Sequence, residues 1–270
     1  MELLNLLILG AIAGFTIYIG LPIARMKNIS GKVKGMLNSA AAGILLFLLI
    51  DIMSNAFEVI SGKFIDLSSG KGTFQSALIF LLILVAGIAL GLLGLVWFEE
   101  RYIRRQIQGK NYSPNELSER KSKRIATMIA IGIGLHNFSE GLAIGQSYAG
   151  GLISLALLLV IGFGLHNATE GFGISAPLSG FRPSWKFLAL MGLIGGGPTF
   201  IGSIIGGFWV SQKISIFFLA LAAGAIIYVI KELLYHGRIQ GEGMNVMTSL
   251  ILGFFIGFGA DLIIKFASGA

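Results

Sequence analysis

Two short stretches of the chain place the same three polar residues in the same order. GLHNFSEG, starting at Gly134, contains His136, Asn137 and Glu140, and GLHNATEG, starting at Gly164, contains His166, Asn167 and Glu170. Aligned over 132–145 and 162–175, the stretches agree at eight of 14 positions. On a helix, positions i and i+4 share a face and i+1 is turned by about 100°. His136 therefore points with Glu140 and His166 with Glu170, each pair flanked by its Asn. Both stretches lie in long apolar runs, where an ionisable group is costly unless it is paired or binds something. A solitary His in such a run is ordinarily a hydrogen-bond partner between helices. Here two of the chain's three His residues recur in matched surroundings, which favours a shared ligand. Imidazole with carboxylate suits Zn²⁺, Fe²⁺, Mn²⁺, Co²⁺ or Cd²⁺ better than Na⁺ or K⁺. The His must be neutral and the Glu ionised, so binding should weaken as pH falls.

The elements that must hold these residues follow from composition. Apolar residues make up 55% of the 270, charged residues only 12%, and the mean hydropathy is +0.84. A soluble domain carries about 25% charged residues, so this is a membrane protein. A helix needs about 20 mostly apolar residues to cross a hydrocarbon core of about 30 Å. Eight segments meet that measure, near 3–24, 35–59, 74–98, 125–148, 152–176, 187–211, 214–235 and 245–266. The alternation of a closed β-barrel is absent, and satisfying the backbone in lipid then requires helices. The first segment has Glu2 as its only early charge and is longer than a signal-peptide core, so it is expected to stay as a membrane helix. The 39 glycines are spread through the spans, as close helix packing in lipid favours. With no cysteine, disulfides and thiolate ligands are excluded.

The excess of Lys and Arg is explained by orientation. Fifteen basic residues fall in alternate loops: Arg25, Lys27, Lys32 and Lys34, then Arg101 to Arg124, then Arg182, Lys186 and Arg238. Lys63, Lys71, Lys213 and Lys265 fall on the other side, and Lys231 lies within the seventh segment. The positive-inside rule puts the 99–124 loop in the cytoplasm and both termini outside. The basicity serves orientation and anionic lipid, and no nucleic-acid partner is expected. Within that loop, YSPNELSE reads as a turn followed by a helix start capped by Ser113 or Asn115.

A second repeat links the second and seventh segments. AAGILLFLLID (41–51) aligns without gaps on AAGAIIYVIKE (222–232), which matches Asp51 to Glu232. The two segments run in opposite senses, as do the fourth and fifth. Spans one to three therefore read as repeated, inverted, in spans six to eight around a central pair. An inverted repeat with a site near the midplane is a transporter signature. The remaining acids extend a line across the membrane: Glu58 toward the outer mouth, Asp51 past the middle of span two, Glu232 on the inner half of span seven with His236 four residues on. Asp261 reads as a packing or lipid-edge residue, and Lys231 as snorkelling toward the interface.

In these motifs the chain resembles the ZIP (Zrt/Irt-like) family of divalent metal transporters, nearest to its GufA-like prokaryotic branch. The eight spans, HNFSEG in span four and AAGAIIYVIKELL in span seven carry the resemblance, which extends over essentially the whole chain. It implies an all-α bundle of three, two and three helices, a prokaryotic plasma membrane, and a central site moving Zn²⁺, Fe²⁺ or a related ion toward the cytoplasm. It carries metal ligation over to His136, Asn137, Glu140, His166, Asn167 and Glu170, with Asp51, Glu58, Glu232 and His236 along the pathway. A homodimer is compatible with the family, although no surface motif specifies one. The chain also departs from the family. Ser139 and Thr169 stand where a Pro precedes each motif Glu, so a kink must come from Gly or from hydroxyl back-bonding. Asn167 replaces an acid, Gly197 replaces a Glu before Pro198, and Leu45 stands where a Met is frequent. Without those two negative charges a second ion would be poorly neutralised, so one tight ion is expected.

The same ligands would serve a metal sensor without flux, or an intramembrane metalloenzyme activating water. The enzyme reading needs an acid or base beyond the ligands, and neither H-E-x-x-H nor a nucleotide-binding loop occurs. A transporter, and no enzyme, is the expectation.

Overall fold

In a computed structural model, the chain is described at residues 3–26, 30–103, 112–208 and 211–268. Every regular element among them is helical. The first segment forms α1 (Leu3–Phe15) and α2 (Ile17–Gly20), interrupted at Thr16, whose hydroxyl donates to the Ala13 carbonyl at 2.7 Å. A 3₁₀ turn at Leu21–Arg25 follows, and then α3 (Gly31–Ser68) and α4 (Phe74–Phe98). A π turn at Glu99–Ile103 closes α4. The second half contains α5 (Pro114–Ala149), α6 (Ile153–Ser175), α7 (Trp185–Phe208), α8 (Gln212–Gln240) and α9 (Gly243–Ser268), with a 3₁₀ turn at Ala176–Leu178 after α6. Glu2, Lys27, Arg104, Arg105 and Lys110, together with 209–210 of the sixth expected segment, lie outside the described residues.

Seven of the spans are long and apolar enough to cross a membrane. The span missing from that set is α5, which carries His136, Asn137 and Glu140 at the middle of its apolar run. It packs along α7 more extensively than any other pair of described helices. The protein is an all-α, multi-pass membrane protein. Its α3 has 38 residues, about 57 Å of helix, and so continues well beyond the expected end at residue 59. The Ser30 side chain caps its start by accepting from the Val33 amide at 3.3 Å, and the chain turns only at Gly70, with φ +74°. The start of α5 is a capping box: Ser113 Oγ accepts from the Glu116 amide, and the Glu116 carboxylate accepts from the Ser113 amide at 2.9 Å. These bonds to Ser113 hold the exposed Glu116 carboxyl below the usual carboxylate range.

The helices group into two sets. One contains α1, α2, α5, α6 and α7; the other contains α3, α4, α8 and α9, joined through α3–α9, α4–α8 and α3–α8. Across the seam between the sets, α5 packs on α8, and α6 packs on α9 and α3. A buried apolar core including Leu45, Leu48, Ile129, Ile133, Ala225 and Ile226 fills that seam. The glycine that follows each motif glutamate sets the approach of the first group. A Cβ at Gly141 would overlap the Thr199 carbonyl of α7, and one at Gly171 would overlap the Ile17 carbonyl of α2. Backbone contact this close places the neighbouring Glu140 and Glu170 deep in the packed interior.

Candidate metal site

His136 and Glu140 project from α5, and His166 and Glu170 from α6, all at 5% exposure or less. One ligand atom from each of His136, Glu140 and His166 lies within 4.8 Å of the other two. The imidazole rings of His136 and His166 are 6.1 Å apart, centroid to centroid, and tilted by 67°. His136 Nε2 is 3.2 Å from Glu140 Oε1, and His166 Nε2 is 3.7 Å from Glu170 Oε1. Around a tetrahedral Zn²⁺, ligand atoms are about 3.4 Å apart, so side-chain adjustments of about an ångström would close the set on an ion.

Hydrogen bonding separates the ligand candidates from their supports. Buried polar groups are nearly always satisfied, yet His136 Nδ1, Glu140 Oε2, His166 Nε2 and Glu170 Oε1 have no hydrogen-bond partner. Carboxylate oxygens and a neutral imidazole's lone-pair nitrogen are atoms that a cation would take up, and His136, Glu140 and His166 each bring one ligand atom to the same cluster. The two Asn residues are heavily engaged. Asn137 Nδ2 donates to Asn167 Oδ1 at 2.8 Å, to Glu170 Oε2 at 2.9 Å and to the Gly195 carbonyl at 3.0 Å. An amide nitrogen has two hydrogens, so one of them is shared. Asn167 Nδ2 in turn donates to the Ala13 carbonyl at 2.9 Å. This amide chain stitches α5, α6, α7 and α1 together, and it fixes one Glu170 oxygen so that the other faces His166. Asn137 Oδ1 stays unpartnered. The Thr169 hydroxyl bonds back to the His166 carbonyl at 2.7 Å, the local distortion available where Pro is absent. Gly197 leaves room, since a Cβ there would touch only the Leu193 side chain.

The pathway residues are more dispersed. Asp51 on α3 is partly buried and acts electrostatically on His136 and Glu140, while Asn55 donates to its Oδ2 at 3.3 Å. Glu58, two turns further along α3, is exposed. At the far end of α8, Glu232 pairs with Arg124 at 3.0 Å and Lys231 at 2.8 Å. His236 Nδ1 lies 2.9 Å from the Glu232 carbonyl, and its ring contacts Tyr235. Glu58, Glu232 and His236 are not members of the central cluster. Asp261, read as a packing or lipid-edge residue, lies on α9 and is partly buried. The helices α3 and α9 run alongside each other, with Gly253 against Ala40 and Gly257 against Phe47. One further turn along each brings Asp51 level with Asp261.

Among known proteins, the profile of the ZIP zinc transporter family matches residues 102–265, which include both His-Asn-x-x-Glu motifs. The chain belongs to the ZIP zinc transporter family. It is 30% identical over 166 residues to zinc transporter ZIP6 of Homo sapiens and of Pongo abelii, covering 58% of this chain and 22% of each relative. It is 31% identical over 147 residues to zinc transporter foi of Drosophila melanogaster, covering 54% of this chain and 21% of that one. The matched region amounts to about a fifth of the length of these relatives. The ZIP family is one of transporters, in keeping with the expectation that the chain is no enzyme.

Proposed function

We propose that this ZIP-family protein carries a divalent transition-metal ion across the membrane toward the cytoplasm, with Zn²⁺ the foremost cargo and Fe²⁺, Mn²⁺, Co²⁺ and Cd²⁺ its competitors. The observation that carries the reading is the convergence of His136, Glu140 and His166 within 4.8 Å, buried, with acceptor atoms left over. In this account His136, Glu140, His166 and Glu170 hold the ion. Asn137 and Asn167 orient Glu170 and pin the helices, and the free Oδ1 of Asn137 is available as an additional ligand. Cation enters past Glu58 and Asp51 and leaves past Glu232 and His236. Both termini lie outside, as the loop charges require, and the resemblance of the motifs to the prokaryotic branch supports a prokaryotic plasma membrane. Packing of α3 on α9 and of α4 on α8 supports the inverted repeat, which would exchange those two pairs. Neutral Asn167 and Gly197 support a site for one tight ion.

Flux into liposomes tests this. Purified protein reconstituted at known orientation should take up radiolabelled Zn²⁺, and His166→Ala should reduce uptake to background. Running the assay over Zn²⁺, Fe²⁺, Mn²⁺, Co²⁺ and Cd²⁺ ranks the cargo. Tight binding without flux would make the protein a sensor instead.

A further inference from the structure

Three ionised side chains at the other end of α5 have no part in the central site. Arg124, near the start of the apolar run of α5, forms ion pairs with Glu99 beyond the end of α4 at 2.9 Å and with Glu232 on α8 at 3.0 Å. The side chains are 13%, 3% and 12% exposed respectively. One guanidinium thus bridges two nearly buried carboxylates, a geometry to which its planar fork is suited. Lys231 contacts the second Glu232 oxygen at 2.8 Å from the solvent side, where it is 69% exposed. Arg124 belongs to the helix set that carries the metal ligands, whereas Glu99 and Glu232 belong to the other set. Its two ion pairs therefore cross the seam where α5 packs on α8. His136 lies about 18 Å further along the same helix.

Resting on the transport reading and on the orientation given above, we propose that Arg124, Glu99 and Glu232 form a latch that holds the cytoplasmic exit shut. A path from His136 to the cytoplasm along this seam must part α5 from α8, which breaks both ion pairs of Arg124. The latch is also where the outgoing ion would act. Glu232 is occupied by guanidinium in this state, and an arriving dication competes with Arg124 for that carboxylate. Release of cargo and opening of the exit are thereby coupled at one residue. Arg124 is a positioning residue, touching no ligand of the central site.

The chain has no cysteine, so a single reporter can be read cleanly. Met128, one turn deeper than Arg124 and 2% exposed, lines the crevice between Arg124, Tyr228 and Glu232. The experiment introduces Met128→Cys and follows its modification by a membrane-impermeant thiol reagent from the cytoplasmic face, alone and combined with Arg124→Gln or Arg124→Lys. Labelling should be slow in the single variant, rise about tenfold or more with Arg124→Gln, and fall in between with Arg124→Lys, which keeps the charge and loses the fork. Equal rates in all three would overturn the latch. Should Arg124→Gln not yield monodisperse protein, Arg124→Lys and Glu99→Gln decide: each weakens one side of the bridge and should raise labelling severalfold, and unchanged rates in both overturn the proposal. Wild-type protein without flux would defeat the transport reading alone, because the labelling comparison does not depend on it.

Discussion

At the start of the apolar run of α5, the charge of Arg124 is met by carboxylates at 2.9 and 3.0 Å. Further along the same helix, His136 and Glu140 meet His166 and Glu170 with an acceptor atom of each left unpartnered. Both clusters are buried, both join different helices, and both contain Glu. They differ in charge: the first contains the cations of Arg124 and Lys231 beside its carboxylates, and the second joins its carboxylates only to imidazoles. A cluster that supplies its own positive charge is complete as folded, whereas a cluster of acceptors is complete only with a cation from outside. Burial of ionisable residues therefore does not identify a ligand site, and the balance of donors to acceptors does.

That contrast can be broken in several ways. The largest effect is expected at the acceptor cluster. His136→Ala should lower Zn²⁺ affinity by more than about 100-fold, since even supports behind a metal ligand are worth about 10- to 100-fold; equilibrium titration of purified protein measures it. Stability should respond in the opposite pattern. Arg124→Ala removes the guanidinium that faces Glu99 and Glu232 and should cost about 2–3 kcal/mol, somewhat less than for fully buried pairs. Glu140→Gln removes an unpaired acceptor and should leave the metal-free protein's thermal midpoint unchanged or higher. Thermal unfolding in detergent without metal compares the two, and equal losses would erase the distinction. Asn137→Ala should weaken Zn²⁺ binding about 10-fold and lower stability by about 1–2 kcal/mol, because it frees the Glu170 carboxylate and unpins α7. The smallest effect belongs to Asp261→Asn. Uptake at subsaturating Zn²⁺ should fall a few-fold, and the deficit should shrink at high salt, as expected of a charge that steers the cation without holding it.

Much of this was legible in the sequence because membranes enforce simple rules. The all-helical architecture followed from apolar length, and the pairing of His with Glu followed from i, i+4 spacing. The motif glycines announced close packing, and the structure shows which backbones they meet: Thr199 for Gly141 and Ile17 for Gly171. What the sequence concealed depends on contacts between distant segments. Asn137 and Asn167 have the spacing of ligands, and only the fold shows Asn137 donating to Asn167, Glu170 and the α7 backbone while Asn167 donates to the α1 backbone. Arg124 looked like one more positive-inside residue, and Glu99 carried no motif of its own. Their meeting 25 positions apart on adjacent helices has no local signature. The extension of α3 to Ser68 was missed because Lys63 and Asp66 look like a loop when only apolar length is counted.

The central claim is that His136, Glu140, His166 and Glu170 form one cation site. Calorimetric titration of the purified, metal-free protein with Zn²⁺ tests it most directly, with His166→Ala measured alongside. One tight equivalent is expected for the wild-type chain and none for the variant. Two tight equivalents, or a single equivalent that survives His166→Ala, would contradict it.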